Sequence, residues 1–167
     1  MGYSSFSNSG YFEGDPEIIW AAFADPSISN DYAEHKTTFV PGTGFVLAAG
    51  SAWDEQHGEE CEFDVVSWTI TKHVPGSVME FRGKQRGIRP RVRLGMEPDG
   101  SGYRLTESIL MSPAIAGKIG ASVLSWLLLA TGVLAKFGDD KGQSFDLLRE
   151  YLDVHPNATL SKALGEG

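Results

Sequence analysis

Cysteine is almost missing from this chain. Cys61 stands alone among 167 residues, so no internal disulfide can form, and a reducing, cytoplasmic setting is expected. Positive charge is scarce too: 14 Lys and Arg face 22 Asp and Glu, a net charge of -8. Bulk attraction to nucleic acid or to an anionic membrane is disfavoured, and neither is an expected partner. Residues 1 to 10 are polar and lack the cationic-then-apolar pattern of a secretion signal, so none is expected. The sequon Asn157-Ala158-Thr159 then reads as chance. One uncharged stretch, Ile119 to Ala135, has 17 residues. At about 1.5 Å per residue it falls short of a roughly 30 Å hydrocarbon core. It also holds Ser122, Ser125 and Thr131, so a buried or lid helix is expected there rather than stable membrane insertion. Several motifs are missing as well. Gly42-x-Gly44 lacks the third glycine of a dinucleotide loop, and there is neither a Walker loop nor a Gly-x-Ser-x-Gly turn. His57 and Cys61, with Glu59 and Glu60 between them, match no metal-ligand spacing. No cofactor and no metal are expected.

Aromatic residues, in contrast, are plentiful: nine Phe, five Tyr and four Trp supply walls and packing. The length suits a single domain spanning 1–167, with a core over about 5–153 and a loose tail from about 154.

Residues 5 to 13 read as a first strand. Asp15-Pro16-Glu17 is a helix start: Asp15 caps, Pro16 fits the first helical position, and Glu17 faces the positive end of the dipole. That helix stops at Asp25-Pro26, because the residue before proline resists helical angles. A second short helix is expected over Ser27 to Tyr32. Strands follow at Thr37 to Val40, Phe45 to Ala48, from Trp53, Glu62 to Val74, Val78 to Arg82, Arg91 to Met96 and Tyr103 to Leu110. Pro75-Gly76 and Glu97-Pro98-Asp99-Gly100 mark turns between them, so an antiparallel meander is expected. Apolar residues at 123, 127, 130, 134, 137, 145, 148 and 152 form one helical stripe. Gly138-Asp139-Asp140-Lys141-Gly142 either lies within that helix or breaks it into two. A meander with one apolar face must cover it, and the terminal helix is the only element long enough.

The stretches Asp15-Pro16-Glu17-Ile18-Ile19-Trp20-Ala21-Ala22-Phe23-Ala24-Asp25, Gly42-Thr43-Gly44-Phe45, Val66-Ser67-Trp68, Pro75-Gly76-Ser77-Val78-Met79-Glu80-Phe81-Arg82, Glu97-Pro98-Asp99-Gly100 and Tyr103-Arg104-Leu105-Thr106-Glu107-Ser108 occur in that order. In this order they resemble the START-like superfamily, in its bacterial polyketide cyclase/dehydrase-like branch. The resemblance covers residues 5 to 153. It implies an α+β helix-grip fold: a curved antiparallel sheet wrapped around a long C-terminal helix, with an internal apolar cavity. It also implies a hydrophobic substrate or ligand. A polyketide cyclase, aromatase or dehydratase is one implied role; a non-catalytic carrier or sensor of a lipid-like molecule is the other. A structural partner protein remains a third. Fold analogy does not choose among them.

The residues suggest where chemistry sits. Leu105, Glu107 and Ile109 share one strand face, which makes Glu107 a carboxylate on an apolar surface and a candidate general acid or base. Val66, Trp68 and Ile70 share another apolar face, which Glu62 and Asp64 extend toward the strand start. Trp68 and Trp53 are candidate cavity walls. Six of the 14 cations lie between Arg82 and Arg93 with no acid among them. They form either a solvated outer face or, through Arg82 or Arg91, an anchor for a ligand carboxylate or an acyl-carrier phosphate. Tyr32 and His35 follow the short helices, where the resembling fold places its entrance, and His35 is a candidate proton shuttle. The run Ile119 to Ala135, with Trp126, caps the cavity or meets a partner chain, which leaves a homodimer open. Catalysis is thus expected from Glu107, Arg82 and His35. Ligand contacts are expected from Tyr32, Trp53, Glu62, Trp68, Arg91 and Trp126.

Overall fold

The computed structural model describes residues 4–32, 36–39, 45–56, 65–85, 88–113 and 133–155. In chain order these form β1 (Ser4–Phe12), α1 (Pro16–Ala24), α2 (Pro26–Ser29), β2 (Lys36–Phe39) and β3 (Ala52–Gln56), then β4 (Val65–Val74), β5 (Val78–Lys84), β6 (Ile88–Asp99), β7 (Gly102–Pro113) and α3 (Val133–Val154). The seven strands make one antiparallel sheet in the order β1-β7-β6-β5-β4-β3-β2. Strands β2 to β7 are a meander, and β1 adds beside β7, with Ser4 opposite Met111 and Phe12 opposite Tyr103. With α3 lying against β1 and α1, this is the α+β helix-grip architecture.

Local chemistry explains the helices. The Asp15 carboxylate accepts from the Glu17 N–H at 2.8 Å, and Pro16 gives up no needed donor at the first position. Asp25 serves two helices. Its backbone N–H closes α1 on the Ala21 carbonyl at 3.0 Å, while its carboxylate caps α2 by accepting from the Ser27 N–H at 2.8 Å and hydroxyl at 2.7 Å. The two helices therefore share one residue and turn sharply. The α2 turn covers Pro26–Ser29, at the start of the expected Ser27 to Tyr32 stretch. α3 is continuous through Gly138 and Gly142, so these glycines lie within the helix and do not split it.

One expected strand is absent. Residues 45 to 50 form bends and a turn, in which the Ala48 N–H donates to the Val46 carbonyl at 2.8 Å and the Ser51 N–H to Ala48 at 3.1 Å. These short-range bonds use groups that a strand would offer to a neighbour. β2 pairs with β3 instead, Phe39 standing opposite Trp53.

Alternation then sorts the side chains. On β4, Val66, Trp68 and Ile70 are buried and the residues between them exposed. A register shift between Ile70 and Lys72 interrupts this order. Lys72 falls opposite Glu80 and His73 opposite the buried Met79. The extra residue thus keeps a lysine off the inner face and turns a histidine toward it.

Candidate functional site

Strand register stacks the inner-face residues in rungs that cross the sheet. One rung is apolar: Phe6, Ile109, Val92, Phe81 and Ile70. The next toward the β2 end of the chain's meander carries Met111 opposite Pro90, and Gly83, Trp68 and Trp53 in line. On the other side lies the polar rung: Asn8, Glu107, Leu94, Met79 and His73. Glu107 is half-buried between fully buried Leu105 and buried Ile109 on its own strand. It therefore faces inward, as strand parity requires.

Tyr32 packs against the buried core. Its hydroxyl donates to the Ala22 carbonyl at 2.9 Å, one of the last carbonyls of α1 that no helical N–H reaches. Its ring lies 5.3 Å from that of Tyr151, a buried residue of α3. Burial raises the Tyr32 pKa far above the phenolic range, and the negative charge of Glu107 pushes it further, followed by Tyr151 and Asp25. The phenol therefore stays protonated at neutral pH.

A second part of the inner face is aromatic. Trp53 and Trp68 are cross-strand partners with ring centroids 6.4 Å apart. Phe81 meets Trp68 edge-on at 5.0 Å and Trp53 at 5.3 Å, and Phe45 adds an edge to Trp53 at 6.0 Å. Such pairs contribute about 0.5–1.5 kcal/mol each beyond their burial. Gly83 makes the arrangement possible, since a Cβ there would stand 2.6 Å from Trp68 Cζ3. Trp53 and Trp68 are only 3% and 6% exposed, yet neither indole N–H has a hydrogen-bond partner among the described residues. An unmet buried donor costs about 1–3 kcal/mol, so each is a place for an acceptor oxygen.

The expected site residues thus divide. Glu107, Tyr32, Trp53 and Trp68 lie on the inner side. His35, Glu62, Trp126, Asp64, His57 and Cys61 lie outside the described residues. So do residues 119–132 of the lid expected over 119–135. Arg82 and Arg91 are corrected. Both are exposed and directly opposite one another on the outer face, because Phe81, Gly83 and Val92 take the inward positions. Neither can orient a ligand beside Glu107. A groove of about 270 Å³ among described residues also opens on the outer face, beside Gly95, with Arg93, Glu97, Thr106 and Ser108 at its walls.

Sequence reasoning missed four inward groups. Asn8 sits opposite Glu107, and its place among Phe6, Gly10 and Phe12 was visible as a polar break in an alternating face. Glu55 is half-buried on the face of Trp53 and is detectable by the same parity. Tyr151 follows Leu148 by three residues on the helical stripe. His73 had no sequence signal, because only the register shift turns it inward. Its ring stacks on Trp20 at 6.4 Å and 9°, and its Nε2 has no partner among the described residues. Three strand spacings of about 4.8 Å separate it from Glu107, too far for direct proton transfer on a sheet.

No family model matches the sequence, and no curated protein matches it. Solved structures are similar. CalU16 from Micromonospora echinospora superposes with a TM-score of 0.59 at 15% identity, over 95% of this chain and 82% of that one. DynU16, from the dynemicin biosynthetic locus, gives 0.59 at 12% identity over 89% of this chain. The chain spans only 47% of DynU16. Ara h 8.0201 gives 0.53 at 12% identity, over 87% and 99% of the two chains. At such identities the likeness shows a common fold, the helix-grip fold, and nothing finer.

Proposed function

We propose that this START-like chain holds an apolar small molecule between the inner sheet face and α3, and that Glu107 moves one of its protons, as in a cofactor-independent polyketide cyclase or dehydratase. The observation that carries this reading is Glu107 itself, a carboxylate set among Leu105, Ile109 and Leu94 on the inner sheet face. Polyketide intermediates carry acidic CH₂ groups between carbonyls and hydroxyls that leave as water. Glu107 takes a proton from such a carbon, the enolate attacks a second carbonyl to close a ring, and Glu107 returns the proton to the alkoxide that forms. In a dehydration the same proton returns to the departing hydroxyl, which leaves as water. The Trp53 and Trp68 indoles offer donors to ligand oxygens, and the aromatic rung excludes water and restricts the chain's conformations. The biosynthetic locus of DynU16 supports a place in secondary metabolism.

The outward arginines favour a second reading. All described cations of β5 and β6 are exposed, so neither strand brings one to Glu107 to hold an oxyanion. The same inner face then serves a carrier or sensor. Glu107→Gln separates the two. With a synthetic poly-β-ketone thioester as substrate, the enzyme reading expects turnover to fall at least a hundredfold while binding of an apolar fluorescent dye and Tm persist. Turnover unchanged in Glu107→Gln would remove the proton-transfer role. Dye binding with no turnover by the wild type would leave the carrier.

A further inference from the structure

The outer face of β5 and β6 carries a charge pattern that the inner site does not use. Arg82 and Arg91 are directly opposite each other, and Lys84 and Arg89 occupy the next outward positions on the same two strands. All four are exposed. Cross-strand neighbours stand about 4.5–5.5 Å apart, and same-face neighbours along a strand about 6.5–7 Å. The four cations therefore form a compact rectangle. No acidic side chain among the described residues pairs with Arg82, Lys84 or Arg91, whereas Arg93 one position beyond pairs with Glu80 at 3.4 Å. Arg89 is held in place through its own Nη1, which donates to the Gln85 and Ile88 carbonyls at 3.2 and 3.0 Å. Ser67 and Thr69 face Lys84 and Arg82 from β4; on β7 Leu110 stands opposite Arg91, and Ser112 opposite Arg89, its hydroxyl donating to the Arg89 carbonyl at 2.9 Å.

Like charges directly opposite on a sheet are destabilising. The arrangement is conspicuous in a chain that has only ten further cations against 22 acids. We infer that this rectangle is a docking surface for a carboxylate-rich helix of a partner protein. Carboxylates at i and i+4 of a helix have Cβ atoms about 5–6 Å apart, which matches the cross-strand spacing. Arginine pairs bidentately with such groups, and the exposed Ser67 and Thr69 hydroxyls add donors. A nucleic acid fits less well. Its charge would extend past the rectangle over a chain of net charge -8, and the described large aromatics near the rectangle, Phe81 and Trp68, are buried and offer no stacking platform. An anionic membrane meets the same repulsion.

The test uses a 16-residue helical peptide with Glu at i, i+4 spacing, labelled and followed by anisotropy. The paired variants are R82Q/R91Q and the reversal R82E/R91E. The wild type should bind the peptide, with affinity falling at least tenfold on going from low salt to several hundred millimolar, as expected when the Debye length shrinks below about 10 Å. R82Q/R91Q should bind roughly tenfold more weakly and R82E/R91E not measurably. The Tm of free R82Q/R91Q should equal or exceed that of the wild type, because a like-charge pair is relieved; this also shows that the variant folds. Peptide binding unchanged in R82Q/R91Q, or no binding by the wild type, would overturn the inference. So would tighter binding to a 12-nucleotide strand or to phosphatidylserine vesicles. A concentration-dependent dimer lost in both variants would replace the partner helix by a second copy of this chain.

Discussion

Gly83→Ala tests the aromatic wall by the sign of its effect. Gly83 is buried in β5 and does not have a positive φ, so alanine is conformationally allowed there. Were space available, the substitution would stabilise the protein by about 0.4–1 kcal/mol, since alanine has less freedom to lose on folding. The surroundings predict the opposite. A Cβ would lie 2.5 Å from Pro90 Cγ and 2.6 Å from Trp68 Cζ3, and neither group is a flexible chain end. Proline is a ring in β6, and the Trp68 ring is held by Phe81 at 5.0 Å and Trp53 at 6.4 Å. Overpacking of this kind costs about 1–3 kcal/mol. For a domain of this size each kcal/mol lowers Tm by roughly 2–4 °C. A fall on the order of 5 °C is expected in a thermal scan, together with a change in tryptophan emission as the Trp68 ring tilts. A double-mutant cycle with Trp68→Leu should show a coupling of about 1 kcal/mol or more, because the smaller side chain removes half of the clash. A Tm equal to or above the wild type, with additive effects in the cycle, would refute the close approach and the wall built on it.

Other expectations rest on single groups. Tyr32→Phe removes the hydroxyl that satisfies the Ala22 carbonyl and should cost about 0.5–1.5 kcal/mol in urea unfolding at neutral pH. Because the folded state raises the Tyr32 pKa, its contribution is whole below the ordinary value of 10.0 and is lost as pH rises beyond it. The wild type should thus lose stability more steeply than Tyr32→Phe above that pH; parallel curves would contradict the burial of the phenol. Asp25→Ala deletes the α2 cap and should cost about 1 kcal/mol, while Asp25→Asn keeps an acceptor and should lie close to the wild type. Equal losses in both would mean that the charge, not the cap, matters.

Much of this protein was legible along the chain. Asp15-Pro16-Glu17 starts a helix and Asp25-Pro26 ends it, because caps and proline act through groups two to four residues away. The inward set Leu105, Glu107 and Ile109, and likewise Val66, Trp68 and Ile70, follows from the twofold period of a strand, which is also local. The sequence therefore determined which residues share a face, and it isolated Glu107 as a carboxylate on an oily one. It did not determine who stands opposite whom. Register is set between strands far apart in the chain, so only the tertiary structure placed Asn8 beside Glu107 and Tyr151 against Tyr32. The register shift after Ile70 inverted the parity of β4 and delivered His73 rather than Lys72 to the inner face. Parity also marked Arg91 as facing away from Val92, but only the β5–β6 pairing set it against Arg82. A one-residue step moves a strand's whole side-chain set to the other face, and that step is decided by packing across the sheet, not by any neighbour in sequence.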